Sequence, residues 1–262
     1  MKVTRKTKEE VVMLKKSGKI LVDAMNLAVD HAKKAVDKTI FTMELDEIVE
    51  KYIRDNGGVP AFLHYSDGGS EPFPASICVS INDEIVHGIP KKDVRIKEGD
   101  LLSLDLGVEY GGMFTDAATT VMIGEVSEQA KKITEITRKS LSAGIAKLRH
   151  GAKLGDYGAA VDEIATKNGF VTVKGLVGHG VGHAVHEPPQ IPNYGEKNTG
   201  FKIKEGMVLA LEPMLAVSDD RISLGDDEFA FTTYNGCLSA HFEHTVLITK
   251  KGCEVITDGI KS

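Results

Sequence analysis

The chain has only three cysteines in 262 residues, Cys78, Cys237 and Cys253, too few and too scattered for a disulfide framework. That usage suits a reduced, cytoplasmic compartment. No uninterrupted apolar run approaches the length of a membrane span, and the basic start MKVTRKTKEE is not followed by the apolar core of a signal peptide. A basic excess is also missing. Against 38 Asp and Glu there are 32 Lys and Arg, and the net charge of −6 argues against nucleic acid as the main partner. No HExxH motif occurs, so zincin chemistry fails, and no Pro/Ser-rich linker divides the chain.

What the chain does contain is a repeat. Residues 96–107 (IKEGDLLSLDLG) return as residues 203–213 (IKEGMVLALEP), aligning Lys97 with Lys204, Gly99 with Gly206 and Asp105 with Glu212. In each copy a KEG turn leads into an apolar run that ends in a carboxylate. An acid at the end of a buried strand is costly to desolvate, so finding it twice points to two halves presenting acids to one site.

The flanking elements repeat as well. Thr7-Lys-Glu-Glu10 has capping-box form and precedes Val11, Leu14, Leu21, Met25, Ala28 and Ala32 at helical spacing. A second helix starts near Thr42 and stops at Asn56-Gly57-Gly58. A loop at residues 64–74 and a β-branched run at 76–81 follow. Strands over 101–108 and 117–123, joined by a Gly-Gly turn, form a hairpin. Helices over 127–149 and 156–168 then restart the plan, followed by a strand-like stretch at 171–189 and the second KEG strand. An acidic segment at 219–228 precedes a last hairpin. The chain reads as one α+β domain, residues 1–262, made of duplicated helix–helix–strand halves (about 1–123 and 124–262) around a mixed sheet.

Five residues stand out as metal ligands: Asp105, Asp116, His179, Glu212 and Glu243. A looser match of FTDAATTV to HFEHTV relates Asp116 to Glu243, so an approximate two-fold would bring four acids together. Such a cluster suits two divalent first-row ions, Mn, Fe, Co or Zn, with a water between them ionised near neutral pH. Turn chemistry is the alternative for Asp116. In VGHGVGHAVHEPP the glycines permit close approach to a ligand or tight strand packing, and the prolines forbid the helix that a dinucleotide loop requires. His179 and His183 share a face if the segment is extended, and His186 falls on the other. One metal-bound and one catalytic histidine fit better than three ligands, which leaves His183 a structural role. His87, before the first KEG strand, parallels His186 before the second, and alone would be an ordinary partly exposed residue.

Together, SINDEIVHGIP, LLSLDLG, FTDAATTV, GHGVGHAVHEPP, LALEPM and HFEHTV resemble the type I methionine aminopeptidases, over essentially the whole chain. The resemblance implies the pita-bread fold with a mainly antiparallel sheet. It also implies removal of the initiator methionine before a small second residue, by a bridging hydroxide on a dinuclear centre. Asp105 would bind one metal, Asp116 and Glu243 both, and His179 and Glu212 the other. Glu212 would also be the general base, His186 would polarise the scissile carbonyl, and His87 would contact the amide nitrogen. Phe73, Cys78, Val185 and Phe229 would line the methionine pocket, with ordinary core as their alternative. Asn82 and Ser239 match positions that hold a monovalent cation in some relatives. Peptides and nascent chains with N-terminal Met are the expected partners, with a transient ribosome contact, no membrane association and a monomeric state.

Glu212 and Glu243 are only 31 positions apart, which leaves no room for the type II insertion. Prolidases usually add an N-terminal domain, and here the chain opens on the first repeat with no zinc-finger extension. A non-catalytic binding module would have lost ligands that are all kept. The one departure is the loop HYSDGGSEPFPAS, longer than the type I loop.

Overall fold

Thr7 sets the start of the first helix. Its hydroxyl accepts the Glu10 N–H at 3.2 Å while the Glu10 carboxylate accepts the Thr7 N–H at 2.7 Å. The resulting helix α1, Lys8–Ala32, buries Leu14, Leu21, Met25, Ala28 and Ala32 as the spacing predicts. Helix α2, Thr42–Asp55, begins at the predicted residue, and Gly57 ends it at φ +77°. The computed structural model describes residues 3–66 and 71–262, so Asp67–Ser70 of the long loop fall outside it.

Both helices cover a sheet built on a ten-residue hairpin. Strand Leu101–Tyr110 pairs with Met113–Met122 from Leu101↔Met122 to Tyr110↔Met113, and its other edge pairs with Ile77–Ile81. Gly111 and Gly112 both lie at positive φ, the requirement of a two-residue turn of type I′. The core beneath α1 and α2 includes Leu21, Met25, Val49, Ile53, Leu104 and Val121.

In the second half, α3 is Glu128–Ile145 and α4 is Leu154–Lys167. The first of these ends short of the predicted residue 149. Lys147 and Leu148 instead bond the carbonyls three residues back, a tighter turn, although Leu148 is buried as its spacing required. Strand Val208–Leu211 lies between Gly178–Gly180 and His244–Ile248 in a separate sheet. A distinct core includes Leu141, Tyr157, Val161, Leu209, Phe242 and Val246.

The KEG repeat is structural as well as sequential. Gly99 and Gly206 adopt φ +93° and +84°. Gly99 N–H donates to the Ile123 carbonyl at 2.8 Å, and Gly206 N–H donates to that of Ile248 at 2.9 Å. The halves meet along a boundary bridged by hydroxyls. Asp116 N–H donates to Thr245 Oγ1 at 2.9 Å, which donates back to the Asp116 carbonyl at 2.7 Å. Thr120 and His241 make the same reciprocal pair, at 2.9 and 2.8 Å.

Two segments differ from their sequence reading. The stretch 171–189 is not one extended run: Val171–Thr172, Gly178–Gly180 and Glu187–Ile191 are strands, and the chain turns sharply between the last two, with Gly182 at φ +134°. The acidic segment 219–228 contains strand Ile222–Leu224, which forms a hairpin with Phe231–Thr233; the latter pairs with Glu84–Val86.

Candidate metal centre and active-site cavity

The first hairpin delivers two acids. Asp105 and Asp116 stand on its paired strands near Gly107↔Asp116, buried to 9% and 3% exposure. Val208–Leu211 ends immediately before Glu212, and Glu243 precedes the strand that pairs with it. Across the boundary, Glu243 N–H donates to the Ala118 carbonyl at 2.9 Å, which fixes the second half's acid against the first half's hairpin. Below Glu212, Tyr157 donates to Asn193 Oδ1 at 2.8 Å, and Asn193 Nδ2 donates to the Glu212 carbonyl at 3.0 Å.

His179 sits on the short strand between two glycines. Its Nδ1–H donates to the Gly180 carbonyl at 2.9 Å, which turns the Nε2 lone pair toward the acids. Nε2 lies 3.4 Å from Glu212 Oε1 and 3.9 Å from Asp116 Oδ2. A Cβ on Gly178 would meet the Ala210 carbonyl oxygen at 2.5 Å, and one on Gly180 would meet that of Pro188 at 2.4 Å. Of the two roles the sequence left open for these glycines, tight strand packing is the one observed. Gly180→Ala is expected to cost about 1–3 kcal/mol of stability and to weaken divalent-metal binding, as thermal unfolding and a metal titration would register.

Electrostatically the cluster is frustrated without a cation. Burial pushes the Asp105 carboxyl up to about 7. Burial, then the charges of Asp105 and Glu212, push Asp116 well above the carboxylate range. Glu212 and Glu243 are raised for the same two reasons. Burial followed by the neighbouring His186 holds His179 down to about 3, so it is neutral. Asp105 Oδ1, Asp116 Oδ1 and Glu243 Oε1 are buried with no hydrogen-bond partner, an arrangement proteins rarely keep. Ligand atoms of Asp116, His179 and Glu243 lie within 4.8 Å of one another. Carboxylates plus one neutral imidazole fit a first-row divalent ion, so the residues present suit the group they were expected to hold.

These residues form one wall of a cavity of about 300 Å³. Phe73, Cys78 and Phe229 line it, joined by Phe62, Tyr65 and Phe231, which the sequence reading did not single out. Val185 does not reach the cavity; it is packed behind the wall with Phe62, Phe73 and Cys78. Burial, then the charges of Asp105 and Asp116, raise the Cys78 thiol, which keeps it a neutral apolar surface rather than a thiolate ligand. His87 and His186 line both this cavity and a second of about 390 Å³ that extends to Leu176 and Met214. The His186 ring stands edge-on to His179, 4.5 Å between centroids. Burial, then His186, hold His87 down to about 4.

His183 lies apart from this group. Its Nε2 is 2.8 Å from the Glu10 carboxylate, and its N–H donates to Glu187. The shared face expected for His179 and His183 is lost because the chain turns at Gly182 between them. Another missed residue is His241, fully buried with Nε2 3.9 Å from Glu212 Oε2. Its signal was its place two residues before Glu243. Asn82 and Ser239 are brought together: the Asn82 carbonyl accepts both the Ser239 N–H at 2.9 Å and its hydroxyl at 3.1 Å.

Buried acids and an imidazole lining a cavity, on antiparallel strands backed by paired helices, define a metal-dependent hydrolase. Comparison narrows the class. Residues 12–250 match the sequence profile of metallopeptidase family M24. The methionine aminopeptidase of Clostridium perfringens is 40% identical over 252 residues, covering 96% of this chain and 97% of that protein. A solved methionine aminopeptidase from Thermotoga maritima superposes with TM-score 0.89 at 37% identity, over 98% of this chain and 99% of the other. The prolidase from Pyrococcus furiosus gives 0.74 at 25% identity, and the match spans only 66% of its length. The chain belongs to metallopeptidase family M24, among its methionine aminopeptidases, and its fold is the pita-bread fold. Among the described residues, no helix is long and apolar enough to cross a membrane.

Proposed function

We propose that the protein removes the N-terminal methionine from peptides and nascent chains whose second residue is small, using a dinuclear divalent centre held by Asp105, Asp116, His179, Glu212 and Glu243. The observation that carries this reading is the convergence of those five side chains on a cavity that Phe62, Phe73, Cys78, Phe229 and Phe231 also line. Bound there, two divalent ions would polarise the scissile carbonyl and lower the pKa of a water to near neutrality. The chain supplies the rest. Glu212, whose carboxyl is pushed up by burial, is suited to take the proton from the attacking water. His186 donates to the carbonyl oxygen as negative charge develops on it, and His87 contacts the amide nitrogen of the leaving side.

The methionine side chain fits against Phe62, Phe73, Cys78 and Phe229, since a thioether favours aromatic and soft neighbours. The second cavity shares His87, His179, His186 and Glu212 with the first, so it offers the remainder of the peptide a path past the reacting bond. A monovalent cation near Asn82 and Ser239 is proposed as a structural support on the family resemblance alone.

The test is hydrolysis of Met-Ala-Ser against Ala-Pro peptides after loading with Co, Mn or Fe. Release of methionine alone, with two ions bound per chain, is the expected result. Cleavage confined to Ala-Pro would move the protein to the prolidase side of the family. Absence of any bindable divalent metal would leave a peptide-binding module.

A further inference from the structure

The loop that departs from the type I pattern carries a residue that touches the catalytic group. We propose that Tyr65 is the positioning residue of His186, its hydroxyl donating to Nδ1 and thereby fixing the imidazole as the tautomer protonated on Nε2. The proposal rests on the role given to His186 above.

Three observations carry it. Tyr65 Oη lies 2.7 Å from His186 Nδ1, although the two residues are 121 apart in sequence. The Tyr65 ring stands edge-on to the imidazole, at 5.2 Å between centroids and 74° between planes. His179 stands at 4.5 Å and 81° to the same ring, so His186 is in edge contact with two aromatic partners. These contacts fix the ring's orientation, and a phenol that donates to Nδ1 holds the imidazole's proton on Nε2.

The tautomer matters because a neutral imidazole donates from one nitrogen and accepts at the other. A donor to the substrate carbonyl must carry its proton on the nitrogen facing that oxygen. With Nδ1 accepting from the phenol, the proton resides on Nε2, the polarity that a bond to the carbonyl oxygen requires. His179 shows the converse arrangement. There a backbone carbonyl holds the proton on Nδ1 and makes Nε2 the electron donor. Two adjacent histidines are thus set to opposite polarity by their outer partners, one to face a cation and one to face an oxygen.

The loop that supplies Tyr65 also builds the methionine pocket. Phe73 N–H donates to the Tyr65 carbonyl at 2.8 Å, and His64 N–H donates to that of Phe73 at 2.8 Å. Phe73 therefore forms the apolar wall from the same hydrogen-bonded loop base that aims the Tyr65 hydroxyl.

Tyr65→Phe keeps the ring contact and removes only the hydroxyl. In the cobalt-loaded enzyme, kcat for Met-Ala-Ser should fall about tenfold, the usual scale for an outer partner of a catalytic group, with KM changed by less than about twofold. In a His186→Ala background the same substitution should have no further effect. Nitrogen-15 NMR of the zinc-loaded parent should show His186 protonated on Nε2, with a tautomer mixture in Tyr65→Phe. Unchanged kcat in Tyr65→Phe, an equal loss in the His186→Ala background, or protonation on Nδ1 in the parent would each overturn the proposal. Full activity of His186→Ala itself would instead remove the role given to His186, and Tyr65's with it.

Discussion

Asp116→Asn is expected to lower kcat/KM for Met-Ala-Ser by on the order of 10³-fold and to abolish tight divalent-metal binding. Asp116 is the one first-half acid in the closest ligand group, within 4.8 Å of donor atoms on His179 and Glu243. The substitution preserves shape but replaces an anionic oxygen with an amide, removing charge from the position that faces both halves. A catalytic metal supplies several kcal/mol of transition-state stabilisation, and each 1.36 kcal/mol is a factor of ten. Stability of the metal-free form should move the other way. Asp105, Asp116, Glu212 and Glu243 are buried together; after burial itself, neighbouring carboxylate charges raise Asp116 and Glu243, so removing one charge relieves repulsion. Metal content after dialysis, peptide hydrolysis and melting in chelator test all three statements. Retained activity with two bound ions would exclude Asp116 as a ligand.

The second large effect lies at the N-terminus. Lys6 Nζ forms an ion pair with Glu187 at 2.8 Å, and the side chains are only 1% and 7% exposed. Thr4 Oγ1 accepts from Nζ at 2.7 Å and donates to Glu187 at 2.9 Å. Lys6→Met leaves a buried carboxylate without its cation and is expected to cost about 3–5 kcal/mol, read by denaturant unfolding. Lys6→Met combined with Glu187→Gln should recover much of that loss, because no unpaired charge remains.

The pH dependence follows with a definite sign. Burial raises the Glu187 carboxyl, but Lys6, the His183 N–H and Thr4 outweigh it and hold it below its ordinary 4.5. A depressed value means the contribution is present in full above about pH 4.5 and lost as pH falls through the folded value. The parent should therefore lose this stabilisation in acid. In Lys6→Met, protonation neutralises an unpaired charge, so its deficit relative to the parent should shrink below that pH.

Residues whose partners are local in sequence were the legible ones. Thr7 with Glu10, and Gly111 with Gly112, state their conformations within four residues. The two KEG copies located Asp105 and Glu212 because a repeat is an internal comparison. Periodicity was less secure where burial and conformation part company: Leu148 is buried in register with α3, yet the helix has ended. Strand parity failed at His183 because it presumes an extended chain, and Gly182 turns it. Tyr65 was illegible for a different reason. Nothing in HYSDGGSEPFPAS states that its tyrosine meets a histidine in the other half, since that contact exists only after both halves fold.

The hydroxyl-bridged boundary between the halves has a thermodynamic side. Asp105 and Asp116 come from one half of the sequence, and His179, Glu212 and Glu243 from the other; besides a core within each half, shared apolar clusters join them, such as Leu14 and Met113 with Val181 and Val208. If these side chains hold a metal, as proposed above, neither half of the sequence supplies the full set of ligands. An ion held by Asp116, His179 and Glu243 would therefore bind the folded arrangement and not the unfolded chain. By mass action it would contribute RT ln(1 + [M]/Kd) to folding stability, about 2.7 kcal/mol when the free ion is at a hundred times Kd. On that reading the ion would tie the two ends of the sequence together in the fold while supplying the chemistry of the reaction.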